Sequence, residues 1–114
     1  MKTYIGAQGE ISIFIIDAMP DNAARATIER TKNGAIISHS KSGNHHILTG
    51  DADVLERPAP AGMKILLALL DEPQKLIQDA DIPHEHYDLA PGIYEFRIAR
   101  EFDPFAEQAR QVAD

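Results

Sequence analysis

The segment from Ile93 to Phe102 reads IYEFRIAREF, and its alternation of apolar with polar or small residues decides the fold class. Successive side chains of a β-strand point to opposite faces, so Tyr94, Phe96 and Ile98 would share one face. An Ala-Pro-Gly turn at residues 90–92 precedes the segment, as turns commonly bound strands. We predict a strand with one face in the core. Its charged residues are interpreted as members of cross-strand ion pairs that contribute little to stability at the surface: Glu95, Arg97, Arg100 and Glu101.

Further strands are predicted upstream, where short β-branched or apolar stretches recur roughly every ten residues between Gly, Pro and Asn. The predicted segments are Ile11–Ile16, Ala26–Arg30, Ala35–His39, His45–Thr49, Val54–Glu56 and Lys75–Gln78. Asn33 and Gly34 predict a type I′ hairpin turn between two of them, because both central residues of that turn need a positive φ. This spacing favours an antiparallel arrangement of short strands.

Met63–Leu70 is compatible with two structures. Its Met, Lys, Leu and Ala residues favour a helix, yet a short apolar run between Gly62 and a turn fits a buried strand equally well. We favour the strand because the flanking sequence indicates a sheet. We also expect Lys75–Gln78 to pair with it across the turn at Asp71–Pro73.

The C-terminal residues predict a short helix. Asp103 stands at the N-cap position and Pro104 at the first helical position, where each residue type is favoured. Phe105, Ala109 and Val112 then form one apolar stripe at helical spacing. Together with the strands, these residues predict a mainly all-β fold: a small antiparallel β-sandwich or barrel with a short C-terminal helix.

The composition is that of an ordinary globular protein. The 114 residues are 44% apolar and 25% charged, so we expect a single β-rich domain over residues 1–114. The absence of cysteine excludes disulfides, thiolate zinc sites and cysteine nucleophiles. The longest apolar run, Ile65–Leu70, is too short for a membrane span, and the first residues lack the features of a secretion signal. We expect a protein without a membrane partner that is cytoplasmic as synthesised, with the virion as the alternative location.

The chain is acidic, with 18 Asp and Glu residues against 11 Lys and Arg residues. The excess is concentrated in residues 71–88, where six acidic residues accompany Lys75 alone. Such a surface repels a phosphate backbone, because nucleic-acid binding normally depends on clustered Lys and Arg. We therefore expect no nucleic-acid partner. We interpret this segment as a solvated acidic face, suited to a basic protein surface or a cation.

The histidines form two groups in the sequence: His39, His45 and His46, then His84 and His86. Imidazole is the commonest protein metal ligand, so two groups that meet in space could hold an ion. His84 and His86 would share one face of a strand. The adjacent His45 and His46 would point to opposite faces, so only one of them can join a given site. We take His46, His84 and His86 as the candidate ligands, for a divalent Zn, Fe or Ni ion.

Two other roles for the histidines stay open. They can be exposed or hydrogen-bonded side chains without a ligand, or they can form a pH-sensitive binding surface with the acidic residues of 71–88. The sequence contains no Gly-x-Ser-x-Gly elbow, P-loop or dinucleotide fingerprint. No complete catalytic motif therefore accompanies the histidines.

Several short patterns are spread over the chain: Gln8-Gly-Glu10, Gly43-Asn-His-His46, His84, Pro91-Gly-Ile-Tyr-Glu95, Arg100-Glu-Phe-Asp-Pro104 and Val112-Ala-Asp114. In this combination the chain resembles a family of small uncharacterised proteins of tailed phages and prophages. The resemblance covers most of the chain, although only loosely between residues 50 and 80. It implies a β-rich fold and a phage or prophage context, with no established activity.

The resemblance also bears on the metal site. In that family the first group usually reads Gly-His-x-His, and the second carries a further histidine three places before the position of His84. Here those positions are Asn44 and Asp81. His46 and His84 are the matching histidines, so half of a four-histidine site would be replaced. This favours a retained scaffold over a retained active site.

The sequence thus predicts a non-enzymatic structural or binding protein of phage or prophage type, such as a virion component that decorates or joins other parts. We expect a homo-oligomer or a place in a larger protein assembly. The alternative is a small metal-dependent enzyme that uses one of His45 or His46 together with His84 and His86.

Overall fold

A computed structural model of the protein describes residues 1–39, 45–78 and 86–99, and eleven β-strands lie in these ranges. In chain order they are β1 (Lys2–Gln8), β2 (Ile11–Ile16), β3 (Ala24–Arg25), β4 (Arg30–Thr31), β5 (Gly34–Ser38), β6 (His46–Thr49), β7 (Val54–Arg57), β8 (Met63–Leu70), β9 (Gln74–Gln78), β10 (Tyr87–Leu89) and β11 (Gly92–Ala99). These ranges contain no helix, and so no helix that could span a membrane. The helix expected from Asp103 onward lies outside the described residues.

The strands form two antiparallel sheets that share one apolar core. The first sheet has the order β1-β2-β11-β8-β7-β3, and the second has the order β10-β9-β6-β5-β4. Ile13, Leu66 and Phe96 of the first sheet belong to the same core cluster as Leu48 and Leu76 of the second. The fold is therefore all-β and sandwich-like. Within the described ranges no strand pairing joins the sheets into the closed barrel that the sequence also allowed.

β11 shows the alternation that decided the fold class. Tyr94, Phe96 and Ile98 are buried in the core, and the Tyr94 hydroxyl donates a hydrogen bond of 2.7 Å to the carbonyl oxygen of Ala90. Burial raises the pKa of Tyr94 above its usual value. β11 lies between β2 and β8. Its other face carries Glu95 and belongs to the outer face of the first sheet, the face turned away from the core.

β8 forms a strand, as we favoured, and it pairs with both β7 and β11. Leu66, Ala68 and Leu70 contribute to the core. Ile65 and Leu67 alternate with them and are also buried, on the outer face of the sheet. Burial on both faces removes the alternation that usually marks a strand, and for this reason composition alone also allowed a helix.

A hairpin forms around Asn33 and Gly34, but its first strand is β4 and not the expected Ala26–Arg30, and the prediction of a type I′ turn is wrong. Thr31 pairs with Gly34, so Lys32 and Asn33 occupy the two loop positions. No residue other than glycine has a positive φ in the described ranges, which excludes the type I′ geometry. Gly34 has a φ of 144°, and a Cβ atom there would stand 2.0 Å from the carbonyl oxygen of Leu48. The close approach of β6, and not the turn, requires this glycine.

The pairing expected for Lys75–Gln78 is wrong, although the strand itself is present as β9. β9 pairs with β6 and β10 in the second sheet, whereas β8 belongs to the first sheet. The connection at residues 71–73 therefore carries the chain from one sheet to the other and does not close a hairpin. Both strands still reach the core, through Leu70 of β8 and Leu76 of β9.

β1 was not expected from the sequence, and it forms one edge of the first sheet. It pairs with β2, with a register shift of the β-bulge type between Tyr4 and Gly6. Residues 2–5 are exposed. Among the described residues no strand lies on the other side of β1. Its outer backbone N–H and C=O groups therefore pair with no strand of the described ranges, as in an edge strand.

Candidate functional site

A polar cluster of Gln8, Glu10, Ser38 and His46 links the turn between β1 and β2 to the second sheet. His46 is only 3% exposed. Its Nδ1 lies 2.8 Å from Gln8 Oε1, and its Nε2 lies 3.4 Å from Glu10 Oε2. The Ser38 hydroxyl donates to the other Glu10 oxygen. Because Gln8 Nε2 donates to the Leu76 carbonyl oxygen at 2.9 Å, Gln8 Oε1 is positioned to accept from His46 Nδ1.

This polar cluster fastens one sheet to the other. Gln8 belongs to β1, whereas His46 and Leu76 belong to β6 and β9. Buried polar groups are stable when they are hydrogen-bonded, so these contacts fix how the sheets lie across one another. The Ser38 hydroxyl donates to a carboxylate and not to the imidazole, unlike the nucleophile–base contact of serine catalysis. The described contacts of Gln8 and His46 hold the two sheets together.

Replacing Gln8 with leucine is expected to lower the free energy of unfolding by about 1–3 kcal/mol, because buried hydrogen bonds to His46 and Leu76 are lost. Urea unfolding of Gln8→Leu, His46→Leu and the double variant would form a double-mutant cycle. We expect a coupling between the two positions of about 1 kcal/mol, in the range found for residues in contact. Strictly additive losses would contradict a direct contact between the two side chains.

The histidines of the first sequence group have different surroundings. The ring of His45 lies against that of His39, with centroids 5.0 Å apart, and His39 Nε2 is 3.6 Å from a carboxylate oxygen of Glu29. His46, the next residue, is instead buried in the polar cluster. This difference agrees with the expectation that His45 and His46 cannot enter the same site.

The second sequence group is described only at His86. Its Nε2 lies 3.5 Å from Lys75 Nζ and 3.7 Å from Asp88 Oδ1, and all three side chains are exposed. Lys75 also donates to Asp88 at 2.6 Å, which holds the pKa of that carboxyl below its usual value. His84 lies outside the described residues, so the metal site of His46, His84 and His86 stays a prediction. Among the residues that are described, no three His, Asp or Glu side chains gather closely enough to hold a metal ion.

Glu95 forms a second buried polar site, on the outer face of the first sheet. It is 1% exposed, and its carboxylate oxygens lie 2.8 Å from Lys2 Nζ, Arg57 Nη2 and Arg97 Nε. Burial by itself raises the pKa of Glu95, but the hydrogen bonds from the three cations outweigh it and lower the pKa to about 2. Glu95 thus forms cross-strand ion pairs, as expected, but the interpretation of these pairs as weak surface pairs is wrong because the carboxylate is buried.

The partners of Glu95 come from distant parts of the chain. Lys2 on β1 reaches across β2, and Arg57 on β7 reaches across β8, so both arrive at the central strand β11. Phe14 pairs with Glu95 in the sheet, and its ring lies 5.6 Å from Lys2 Nζ and 5.1 Å from the Arg97 guanidinium carbon. We refer to Lys2, Phe14, Arg57, Glu95 and Arg97 as the Glu95 cluster. No local sequence pattern marks it, because only Glu95 and Arg97 are neighbours along the chain.

A comparison with protein families gives a match over residues 7–99 to the family described as Domain of unknown function (DUF8820). The chain belongs to this family. The DUF8820 match runs from the end of β1 to the end of β11, so it contains the whole polar cluster and all of the Glu95 cluster except Lys2. No curated protein and no solved structure matches the chain.

Proposed function

We propose that this DUF8820 protein is a non-enzymatic structural or binding protein that assembles with a second copy of itself through the edge strand β1. The phage or prophage setting that the sequence resemblance implies, with a role as a virion component, belongs to the same proposal. The observation that carries the proposal is the position of β1 at the edge of the first sheet, where no strand of the described ranges lies on its outer side.

β1 offers an edge to which another strand can be added. Tyr4 and Ile5 are 58% and 40% exposed on this strand. Strand addition gains main-chain hydrogen bonds together with contacts of alternate side chains. Natural proteins usually protect long edges with charged residues, proline or β-bulges; β1 carries one charged residue, Lys2, one bulge-type irregularity at Ile5, and no proline.

A second copy suits this edge electrostatically. The net charge of −7 makes two copies repel each other in most orientations. β1 contains no acidic residue, so two copies that meet there avoid the strongest repulsion. Two identical edges that pair antiparallel create a two-fold axis, and a two-fold interface closes after two copies. The bulge-type irregularity at Ile5 also interrupts the ladder, which limits how far pairing can extend.

The buried titratable groups of the described residues also support a scaffold. His46 is held by hydrogen-bond partners that connect the two sheets. Glu95 is held by cations that connect three strands of the first sheet. Both sets of contacts make the first sheet, to which β1 belongs, more rigid, because each joins elements that are distant in sequence.

Ile5→Lys is expected to convert a dimer into a monomer. The substitution places a charged side chain of each copy at the shared edge, which is how natural edge strands block pairing. Leu69→Lys is the matched control, because Leu69 is also an exposed apolar side chain but lies on β8, inside the sheet. Size-exclusion chromatography with light scattering over a range of concentrations measures the mass.

We expect a dimeric mass for the unaltered chain and for Leu69→Lys, a monomeric mass for Ile5→Lys, and the same circular dichroism for all three. An unaltered chain that stays monomeric at every concentration would refute self-assembly. Equal dissociation by the two lysine variants would show that the edge is not the interface.

A further inference from the structure

A pocket opens beside the Glu95 cluster on the outer face of the first sheet. Its volume is about 470 Å³, within the range of small-molecule sites. The pocket has an apolar side and a charged side, lined by Ile16, Ala18 and Pro20 and by Lys2, Arg57 and Glu95, respectively. Asp17 also lines it and is paired with the amino group of Met1.

The charged side of the pocket has a surplus of positive charge. Lys2 and Arg57 line the pocket, and Glu95 is the only carboxylate with which either of them pairs among the described residues. An ammonium group has three N–H donors and a guanidinium group has five, so Glu95 uses only part of their capacity. Lys2 and Arg57 are each partly exposed and can still meet a ligand.

We propose that this pocket binds a small carboxylate with an aliphatic body. The carboxylate would accept hydrogen bonds from Lys2 and Arg57, and the aliphatic body would pack against Ile16, Ala18 and Pro20. Charge complementarity selects an anion in a protein whose net charge otherwise repels one. The apolar wall selects a ligand that also has apolar surface to bury. This inference goes beyond the proposed self-assembly and does not depend on it.

Titration of the full chain with octanoate, followed by ¹H–¹⁵N NMR, tests the proposal. We expect saturable shifts of the Arg57 Nε–H signal and of the backbone amides of Ile16 and Ala18. Octanamide has the same length without the charge, and we expect it to bind at least about tenfold more weakly, the loss of one charge-assisted interaction. Equal binding of octanoate and octanamide would overturn the proposal, because it would show that the cations do not select the ligand.

Two pairs of variants locate the site. Ala18→Phe fills the pocket from an exposed loop position, whereas Ala61→Phe adds the same ring at an exposed position outside it. Lys2→Gln removes a cation of the pocket, and Lys32→Gln makes the same charge change in the exposed β4–β5 loop. We expect octanoate affinity to fall at least about tenfold in Ala18→Phe and Lys2→Gln, and to stay unchanged in both controls. Unchanged affinity in Ala18→Phe and Lys2→Gln would overturn the assignment of the pocket.

Discussion

Replacing Glu95 with glutamine is expected to lower the free energy of unfolding at neutral pH by about 3 kcal/mol. The fold lowers the pKa of Glu95 from 4.5 to about 2, and this shift measures how strongly the fold prefers the charged carboxylate. Glutamine keeps the size of the side chain but removes the charge, and it leaves three cations close together. Urea unfolding of the two proteins at neutral pH gives the difference directly.

The same carboxylate makes stability depend on pH in the acid range. Because the pKa is lower in the folded state, the unfolded chain takes up the proton first as the pH falls. The stabilisation is therefore fully present above about pH 5 and is lost as the pH falls toward about 2. We expect the difference in unfolding free energy between the unaltered chain and Glu95→Gln to shrink across this window.

Asp88→Asn is the control for these measurements. Asp88 also accepts a hydrogen bond from a lysine, but both side chains are exposed, and exposed ion pairs contribute little to stability. We expect this variant to unfold almost as the unaltered chain does. The prediction is wrong if Glu95→Gln is destabilised equally at all pH values, or if Asp88→Asn loses as much stability as Glu95→Gln. Either result would show that loss of the buried charge does not cause the destabilisation of Glu95→Gln.

Replacing Gly34 with alanine is expected to destabilise the protein by about 4 kcal/mol or more, at the upper end of single substitutions. The added Cβ atom would stand 2.0 Å from the Leu48 carbonyl oxygen, so β5 and β6 must move apart where they pair. The oxygen belongs to the backbone and the backbone also fixes the Cβ position, so no side-chain rotation relieves the contact. The φ of 144° adds strain for any L-residue with a side chain.

Gly62→Ala separates the two causes. Gly62 also has a positive φ, 82°, but no atom lies within 4 Å of the Cβ position. We expect a loss of only about 1–2 kcal/mol there, from backbone strain alone. Thermal or urea unfolding of the two variants makes the comparison. If both variants lose the same amount of unfolding free energy, β6 does not approach Gly34 as closely as the structure indicates.

The strands that the sequence predicted well are those with a clear pattern or a clear boundary. Ile11–Ile16 is β-branched and flanked by a glycine turn, and it appears with the same bounds as β2. β11 shows the alternation of a sheet with one face in the core. β1 was missed because its exposed residues and its central Gly6 give no burial pattern at all. An edge strand is stabilised mainly by pairing with the adjacent strand, and the local sequence does not show which strand that is.

The polar cluster and the Glu95 cluster were less predictable because their residues are distant in the sequence and come together only in the folded protein. His46 was named in the sequence analysis as a candidate metal ligand, which stays a prediction, and the Gln8 and Glu10 side chains that contact it precede it by more than thirty positions. Glu95 attracted attention only through Arg97, two residues away, whereas Lys2 and Arg57 complete its surroundings. Strand pairing brings these residues together, and the sequence did not predict the order of strands in the sheets: the one pairing expected for β8, with Lys75–Gln78, was wrong.

The central position of β11 has a consequence for the timing of folding. It is the last of the described strands along the chain, yet it lies between β2 and β8 and pairs with both. Contacts between residues far apart in sequence form slowly, because a long loop must close first. During synthesis on the ribosome, the side of β2 that pairs with β11 stays uncovered until residues 92–99 have been made. Until then the β1–β2 hairpin exposes apolar side chains and an unpaired strand edge, and such surfaces favour aggregation and chaperone binding.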